Sequence, residues 1–283
     1  MELRATGTAD ELINQYSALL SKCFPMAHHF DCDYLRWLYS ENPDGPVVGF
    51  DAWEGSCLAA HYVTIPAPMR VNGTLRKALL SLNTATHPAY QGQGLFTKLA
   101  EQTYRSATDQ GFECVYGIAN ANSTPGFQRR LGFTLVGQLD ARIGIGRLTR
   151  RAGGVQQPDG LRRAWNAASL AWRFRNPKNP VRAEVIEGTT MVAATSARLP
   201  VLSAWAEVPA LPDFIPSGPA PRTLGRLFLG KLSAAERGTW QFVDIPHRLR
   251  PSPLNLIFRD VAGNGDVIDM AQVSLNFLDF DAY

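Results

Sequence analysis

The stretch from Asn83 to Phe96 constrains the fold more than any other, because it leads an apolar strand through a glycine turn directly into a helix. The preceding run, Ala78–Thr86, is short, apolar and β-prone, and Pro88 ends its ladder by removing a backbone donor. From Leu95 the apolar residues recur at four-residue spacing, which predicts a helix. The sequence therefore predicts a strand, a turn at Gln91-Gly-Gln-Gly94 and a helix in direct succession.

Glycines at the start of a helix predict an anion-binding site. The first N–H groups of a helix have no partner inside it, and the helix dipole adds partial positive charge there. Glycine also lets a ligand approach the backbone closely. A phosphate or pyrophosphate therefore fits at Gly92 and Gly94, and the alternative is a tight turn that binds nothing.

The elements that follow favour the binding site. A second β-prone run, Phe112–Ile118, precedes Asn120-Ala-Asn122 and a short helix that ends at Leu131-Gly-Phe133. The complete series resembles the acetyl-CoA-binding half of the GNAT acetyltransferases. The resemblance implies an α/β fold with a mixed sheet, the acyl-CoA N-acyltransferase fold of that family, with acetyl-CoA as co-substrate.

The resemblance also implies which residues bind the cofactor. The family's pyrophosphate loop reads Arg or Gln, two residues, Gly, one residue, and Gly or Ala, and Gln91, Gly94 and Phe96 occupy those places. Phe96 departs from the pattern, but backbone donors hold the phosphates, so we expect altered helix packing and retained binding. The edge of the strand would pair with the pantetheine arm. The implied cofactor residues are Thr84, Ala85, Thr86, Gln91, Gly92, Gln93, Gly94, Leu95, Phe96, Asn120 and Asn122. Asn122 has an alternative role as a helix N-cap.

Transfer of an acyl group from a thioester to an amine needs a base, a donor to the oxyanion and, in some enzymes, an acid for the leaving thiolate. In this family the acid is often a tyrosine four residues before the glycine of the Leu-Gly-Phe element. Gln128 occupies that position here and cannot act as an acid. The role is then absent, unnecessary, or moved to another residue such as Tyr116.

The sequence does not identify a general base directly. Asn83 stands where some family members carry a glutamate, which leaves His87 as the nearest candidate. The alternative is that His87 only closes the strand end. Asp281, or the terminal carboxylate of Tyr283, is a further candidate if the end of the chain packs into the cleft; a structural tail is the alternative.

Length and composition suit two domains of an ordinary globular protein. The chain has 283 residues, 45% of them hydrophobic, and a formal net charge of only +3, which argues against a dedicated nucleic-acid binder. Four scattered cysteines lack metal-ligand spacing, so we expect reduced thiols, no metal and a cytoplasmic protein. No signal sequence and no apolar run long enough to cross a bilayer is present, so no membrane association is expected.

The predicted domains are residues 1–146, the acetyl-CoA-binding catalytic domain; 147–160, a linker; and 161–283, a degenerate GNAT-like domain. The second half opens with Trp172-Arg-Phe-Arg-Asn-Pro177, which echoes the aromatic helix ended by Asn-Pro at Trp37–Pro43. It contains no counterpart of the Gln-Gly-Gln-Gly turn, so one acetyl-CoA site is expected. Thr223–Lys231 reads as a short helix between β-prone runs.

The first half also shows clear element signals. They predict an edge strand at 1–6, helices at Ala9–Leu20 and Asp33–Tyr39, strands at Pro46–Trp53 and Leu58–Val71, and a hairpin turn at Asn72-Gly73. Pro66 and Pro68 interrupt the long middle run. Thr134–Gly146 is expected to close the mixed sheet as a strand or hairpin.

The sequence thus predicts an N-acetyltransferase that moves the acetyl group of acetyl-CoA to a primary amine by direct attack in a ternary complex. Resemblance to acetyltransferases of bacterial polysaccharide and amino-sugar clusters implies an amino-sugar acceptor, and an antibiotic, a polyamine or a protein N-terminus is the alternative. The alternatives are a catalytically silent acyl-CoA-binding regulator, which Gln128 favours, and transfer of aminoacyl or long acyl groups. We leave a homodimer open.

Overall fold

A computed structural model describes residues 1–146, 160–186, 189–195, 201–209, 223–231, 241–250 and 252–280, with positions 211, 213 and 218. The first half contains β1 (Glu2–Ala5), α1 (Asp10–Cys23), α2 (Cys32–Tyr39), β2 (Val48–Glu54), β3 (Cys57–Pro66), β4 (Met69–Val71), β5 (Thr74–Arg76), β6 (Ala78–Thr86), α3 (Leu95–Asp109), β7 (Cys114–Ala119), α4 (Thr124–Leu131), β8 (Thr134–Gln138) and β9 (Asp140–Gly144). The second half contains β10 (Leu161–Arg163), α5 (Ala167–Phe174), β11 (Val181–Ile186), β12 (Thr189–Thr195), β13 (Leu202–Pro209), β14 (Gly225–Lys231), β15 (Phe242–Asp244), β16 (Asn255–Asp260) and β17 (Val273–Asn276).

The first sheet has seven strands in the order β1-β2-β3-β6-β7-β16-β8. Its pairs are antiparallel except β6 with β7, which is parallel. Helices cover both faces: on β3, Tyr62 packs in the cluster under α3 and α4, whereas the next residue, Val63, packs in the cluster under α1 and α2. β3 is therefore buried along almost its whole length. Each buried side chain of this kind, such as Leu99, contributes roughly 1.5–3 kcal/mol.

The predicted elements of the first half are confirmed. The edge strand, both helices and the hairpin strands lie where the pattern indicates, and the strand break falls between β3 and β4 at the two prolines. Asn72 and Gly73 both adopt positive φ, at 48° and 80°, as the hairpin turn requires. Within the described residues, no helix is long and apolar enough to span a bilayer.

The sheet does not close in the predicted way. Of Thr134–Gly146, only β8 belongs to the first sheet, and β16 from the second half lies between β7 and β8. β9 pairs instead with β14 and β15 in the second sheet. The apolar Leu256–Phe258 segment of β16 is buried on both sides of the first sheet, which accounts for its insertion there.

The second sheet runs β11-β12-β13-β14-β17-β10-β4-β5, so strands of both halves share it. The prediction of a helix at Thr223–Lys231 was wrong, because Gly225–Lys231 is β14, which pairs with β9, β13 and β17. β13 was missed. The linker positions 147–159 lie outside the described residues, and Gly160 accepts a backbone hydrogen bond from Asn72. The domain boundaries stay a prediction.

The echo between the halves has a structural counterpart. The indole rings of Trp37 on α2 and Trp172 on α5 stack at 4.8 Å with an interplanar angle of 19°. Each Nε1 donates to the backbone oxygen of the other tryptophan, at 3.0 and 2.9 Å. Asn42 and Asn176, just after the two helices, each accept a backbone hydrogen bond two residues on. The two segments that resemble each other in sequence are thus in direct, reciprocal contact.

Candidate active site

The centre of the candidate site is the point where β6 and β7 separate. The two strands pair in parallel from Ala78 to Ser81 on β6, and beyond Ser81 no pairing between them is recorded among the described residues. β6 nevertheless continues to Thr86, still paired with β3 on its other side. The edge of β6 from Leu82 to Thr86 therefore faces an opening and can accept another extended chain. The predicted residues Thr84, Ala85 and Thr86 lie on this edge.

A bulge shapes the same edge. Val63 on β3 pairs with Leu82 and His61 pairs with Ala85, so Asn83 and Thr84 stand opposite Tyr62 alone. Asn83 adopts φ of +47°, which is uncommon for a residue other than glycine. The bulge thus turns the backbone of β6 just where the strand leaves β7.

The predicted turn follows the open edge directly. Gly92 and Gly94 adopt φ of +80° and +71°, and a Cβ added at either position would meet nothing within 4 Å. The turn therefore needs glycine for its conformation and leaves open space above the backbone. Gln91 and Gln93 are exposed in the same turn, and the Gln91 Nε2 lies 3.5 Å from the Thr86 oxygen.

Helix α3 begins at Leu95 with Gly94 as its N-cap, and no side-chain cap is recorded among the described residues. The N–H groups of its first turn lack helical acceptors and are available to an anion. Phe96 packs edge-on against Tyr62 and Phe127, at centroid distances of 5.8 and 5.2 Å. A Cβ at Gly126 on α4 would lie 3.2 Å from the Phe96 ring. Gly126 therefore accommodates the ring of Phe96 between α3 and α4.

The two asparagines before α4 have different roles. The Asn120 Oδ1 accepts hydrogen bonds from the backbone N–H of Asn122 and Ser123, at 3.0 and 2.9 Å. The structural N-cap of α4 is Ser123, so the alternative role of Asn122 as an N-cap was wrong. The Asn122 side chain is exposed. Gln128, at the position of the family tyrosine, is also exposed.

His87 closes the end of β6. Its Nδ1 accepts from the Ala89 N–H at 3.2 Å, and its Nε2 lies 2.7 Å from the Lys22 Nζ. Both neighbours are hydrogen-bond donors, whereas a neutral imidazole has a single acceptor nitrogen, so the ring accepts from only one of them. The lone pair that a base would need is then engaged with Ala89 or with Lys22, although the ring is partly exposed at the cleft end of β6.

Tyr116 lies on β7 and is fully buried. Its hydroxyl donates to the backbone oxygen of Asp279 at 2.7 Å, and burial raises the pKa of Tyr116 well above its usual value. The last described residue, Phe280, is buried in the cluster beneath α1 and α2 and accepts from Arg173. Asp281 and Tyr283 lie outside the described residues.

Sequence reasoning missed a buried polar chain beside the bulge. The Asp51 carboxylate, the His61 imidazole and the Tyr39 hydroxyl are hydrogen-bonded in series, and the series ends at the Asn83 side chain. The members come from β2, β3, α2 and β6 and share no sequence motif. The local sign of this polar chain is the positive φ of Asn83, and that angle is known only from the structure. Of the described residues, no group of three or more His, Cys, Asp or Glu side chains could hold a metal ion.

An open strand edge followed by a helix N-terminus suits a ligand that has an amide-bearing arm and a phosphate group. Residues 5–136 match the family model of the acetyltransferase (GNAT) domain, so this segment of the chain is a GNAT domain.

Solved structures with the same fold extend the likeness to the second half. A GCN5-related N-acetyltransferase from Anabaena variabilis matches with a TM-score of 0.60 at 13% identity, covering 92% of this chain and 73% of that one. Eis1 from Mycobacterium abscessus matches with a TM-score of 0.59 at 8% identity, covering 93% and 74%. A probable N-acyltransferase from Enterococcus faecalis matches with a TM-score of 0.54 at 12% identity, covering 92% and 73%. No curated protein sequence matches the chain.

Proposed function

We propose that this protein transfers the acetyl group of acetyl-CoA to the primary amine of a small molecule by direct attack in a ternary complex. The observation that carries the proposal is the continuity of the open β6 edge with the glycine turn and the N-terminus of α3. An amide-bearing arm that pairs with Leu82–Thr86 would deliver its pyrophosphate to Gly92–Phe96.

The reaction needs a correctly placed amine, an acceptor for its proton and a donor to the oxyanion. The amine nitrogen attacks the thioester carbonyl carbon, the carbon–sulfur bond breaks, and the sulfur leaves as the thiolate of CoA. The proton lost by the nitrogen passes to a base, to solvent or to that thiolate. Backbone N–H groups on the open edge of β6 would stabilise the oxyanion, because they are fixed before the reaction begins.

The residues proposed for the proton transfers are His87, Tyr116 and Asp281. His87 is supported by its position at the cleft end of β6, but using its Nδ1 as a base requires the bond to Ala89 to open. Tyr116 would likewise have to release the Asp279 oxygen to act as an acid. His87→Gln, Tyr116→Phe and Asp281→Asn test the three roles through kcat, with unfolding free energies measured alongside.

The acceptor is proposed to be an amino sugar, on the strength of the sequence resemblance. The aromatic residues of α2 are core: Tyr34, Trp37 and Tyr39 are each at most 3% exposed, so they do not line an open pocket. The proposed compartment is the reducing cytoplasm, and the four unpaired cysteines support it.

The test of the cofactor site is calorimetry of acetyl-CoA binding to the wild type and to Gly94→Trp. Gly263→Trp is a matched control, because Gly263 has a similar φ of +77° and equally open space but lies outside the turn. We expect the wild type and Gly263→Trp to bind with the same Kd, and Gly94→Trp to bind at least about tenfold more weakly, because the indole blocks approach to the backbone N–H groups.

Equal Kd values of acetyl-CoA for Gly94→Trp and Gly263→Trp would show that the turn is not part of the cofactor site. Detection of free thiol with a panel of amines, amino sugars first, then tests transfer. Binding of acetyl-CoA without CoA release for any amine would contradict the transferase and leave a binding protein.

A further inference from the structure

The polar chain beside the bulge links four side chains that are far apart in sequence. The Asp51 Oδ1 lies 2.6 Å from the His61 Nδ1, and the His61 Nε2 lies 3.0 Å from the Tyr39 hydroxyl. The Asn83 Nδ2 lies 3.1 Å from the same hydroxyl. Asp51, His61 and Tyr39 are at most 1% exposed, whereas Asn83 is partly exposed in the opening between β6 and β7.

The hydrogen bonds of the chain run in one consistent direction. Asp51 also accepts from the Tyr16 hydroxyl at 2.7 Å and from Thr6 at 3.2 Å, as an ionised carboxylate does. The His61 Nδ1 then donates to Asp51, and in the tautomer that carries its hydrogen on Nδ1 the Nε2 is an acceptor. Tyr39 donates to Nε2 and accepts from the Asn83 amide. Every member therefore has its partner, and the chain specifies the position of the Asn83 side chain.

Among the four members of the polar chain, Asn83 is the one with a strained backbone. Its φ of +47° occurs two residues after the last β6–β7 pair, at Ser81, and a conformation of this kind costs on the order of 1–3 kcal/mol. Such a conformation persists only where its surroundings impose it. The bond from Asn83 to Tyr39 is the contact that imposes it from the side chain.

The other contacts of the polar chain indicate that it positions Asn83 more than it stabilises the fold. Tyr16 stacks on His61 at 4.3 Å, so α1 seals the network from solvent. Buried charged groups stabilise a fold little compared with apolar packing of the same volume. A sealed Asp–His–Tyr series that ends at a strained residue is therefore suited to fixing geometry.

We propose that Asp51, His61 and Tyr39 are positioning residues for acetyl transfer that act through Asn83. They hold the β6 bulge in the conformation that aims the backbone N–H groups of Asn83 and Thr84 at the thioester oxygen. The catalytic role of these N–H groups rests on the proposed function. The proposal that the polar chain holds the bulge in its conformation does not rest on the proposed function.

The first test compares Tyr39→Phe with Ser203→Ala. Both remove a buried hydroxyl that is hydrogen-bonded to another side chain, but the Ser203 hydroxyl lies in the second sheet and bonds to Thr223 at 2.7 Å. We expect Tyr39→Phe to lower kcat by about tenfold to 100-fold with the acetyl-CoA Kd unchanged, because a donor misplaced by a fraction of an ångström loses much of its effect. Ser203→Ala should change kcat by less than about twofold. Equal kcat for the two variants would overturn the proposal.

Two substitutions at Asn83 separate backbone placement from direct contact with substrate. Glycine adopts positive φ without strain, whereas alanine does not. We expect Asn83→Gly to retain more kcat than Asn83→Ala, and Tyr39→Phe to have no further effect in the Asn83→Gly background. Equal loss in both Asn83 variants would assign the amide a direct role and contradict positioning.

A readout without turnover separates this proposal from the proposed function. Nitrogen NMR of His61 should show the neutral ring with hydrogen on Nδ1. The amide resonances of Leu82–Thr86 should shift in Tyr39→Phe and stay in place in Ser203→Ala. Unshifted Leu82–Thr86 resonances in Tyr39→Phe would overturn the positioning, whether or not the protein acetylates any amine. Shifted resonances in a protein without CoA release would refute the transferase alone.

Discussion

Asp279 is a buried carboxyl group whose ionisation opposes folding, and its replacement gives a quantitative prediction. The residue is 3% exposed at the end of the second sheet. Burial raises its pKa from 3.8 to about 6, although hydrogen bonds from the Asn276 N–H and the Trp165 Nε1 and the charges of Arg163 and Arg173 act in the opposite direction. The native state therefore keeps a proton that the unfolded chain releases.

The size and sign of the effect follow from the two pKa values. Below pH 3.8 both states are protonated, and the stability associated with the neutral carboxyl is fully present. Between pH 3.8 and about 6 only the native state is protonated, so the unfolding free energy falls as pH rises, and above about 6 the loss is complete. A difference of about 2 units corresponds to about 3 kcal/mol.

Urea unfolding at pH 4 to 7.5 of the wild type and Asp279→Asn measures this contribution. Asparagine carries no charge at any of these pH values, so the unfolding free energy of the variant relative to the wild type should rise by about 3 kcal/mol between pH 4 and 7. Asp269→Asn is the control, because Asp269 also accepts a backbone N–H at the start of a 3-10 turn but is exposed. Parallel curves for wild type and Asp279→Asn would refute the reasoning.

Two further predictions concern packing. Trp172→Phe removes the donor to the Trp37 oxygen and leaves that oxygen buried, so it should lower the unfolding free energy by about 1–3 kcal/mol in urea titration; no loss would show that the reciprocal contact does not join the halves. Gly126→Ala should stabilise α4 by about 0.5–1 kcal/mol in a Phe96→Ala background but by less in the wild type, where the new methyl group meets the Phe96 ring. An equal gain in both backgrounds would contradict the account of Phe96, and Phe96→Ala itself should retain acetyl-CoA binding in calorimetry.

The local structure of the first half could be predicted because its signals are short-range. Asn72-Gly73 requires positive φ at two adjacent positions, and the glycines at 92 and 94 precede a four-residue period, so hairpin, turn and helix follow from neighbouring residues. The apolar helical spacing also predicts the buried faces of α1 and α2.

The exchange of strands between the halves could not be predicted in this way. β16 pairs with β7, whose residues lie more than a hundred positions earlier, and no local pattern encodes such a partner. Thr223–Lys231 has Leu224, Leu227 and Phe228 at spacings that suit a helix, and the pairing of Gly225–Lys231 with β9 and β17 overrides that preference. The Asp51–His61–Tyr39 series likewise exists only after β2, β3 and α2 have packed together.

The most direct test of the cofactor site is hydrogen exchange with and without acetyl-CoA, followed by mass spectrometry. Binding along β6 and the glycine turn should slow exchange of the amides of Leu82–Thr86 and Gln91–Thr97, because both segments have N–H groups that the protein itself leaves open. The hairpin turn at Asn72-Gly73 should exchange equally in both samples. Protection elsewhere, with unchanged exchange in these two segments, would contradict the assignment of the site.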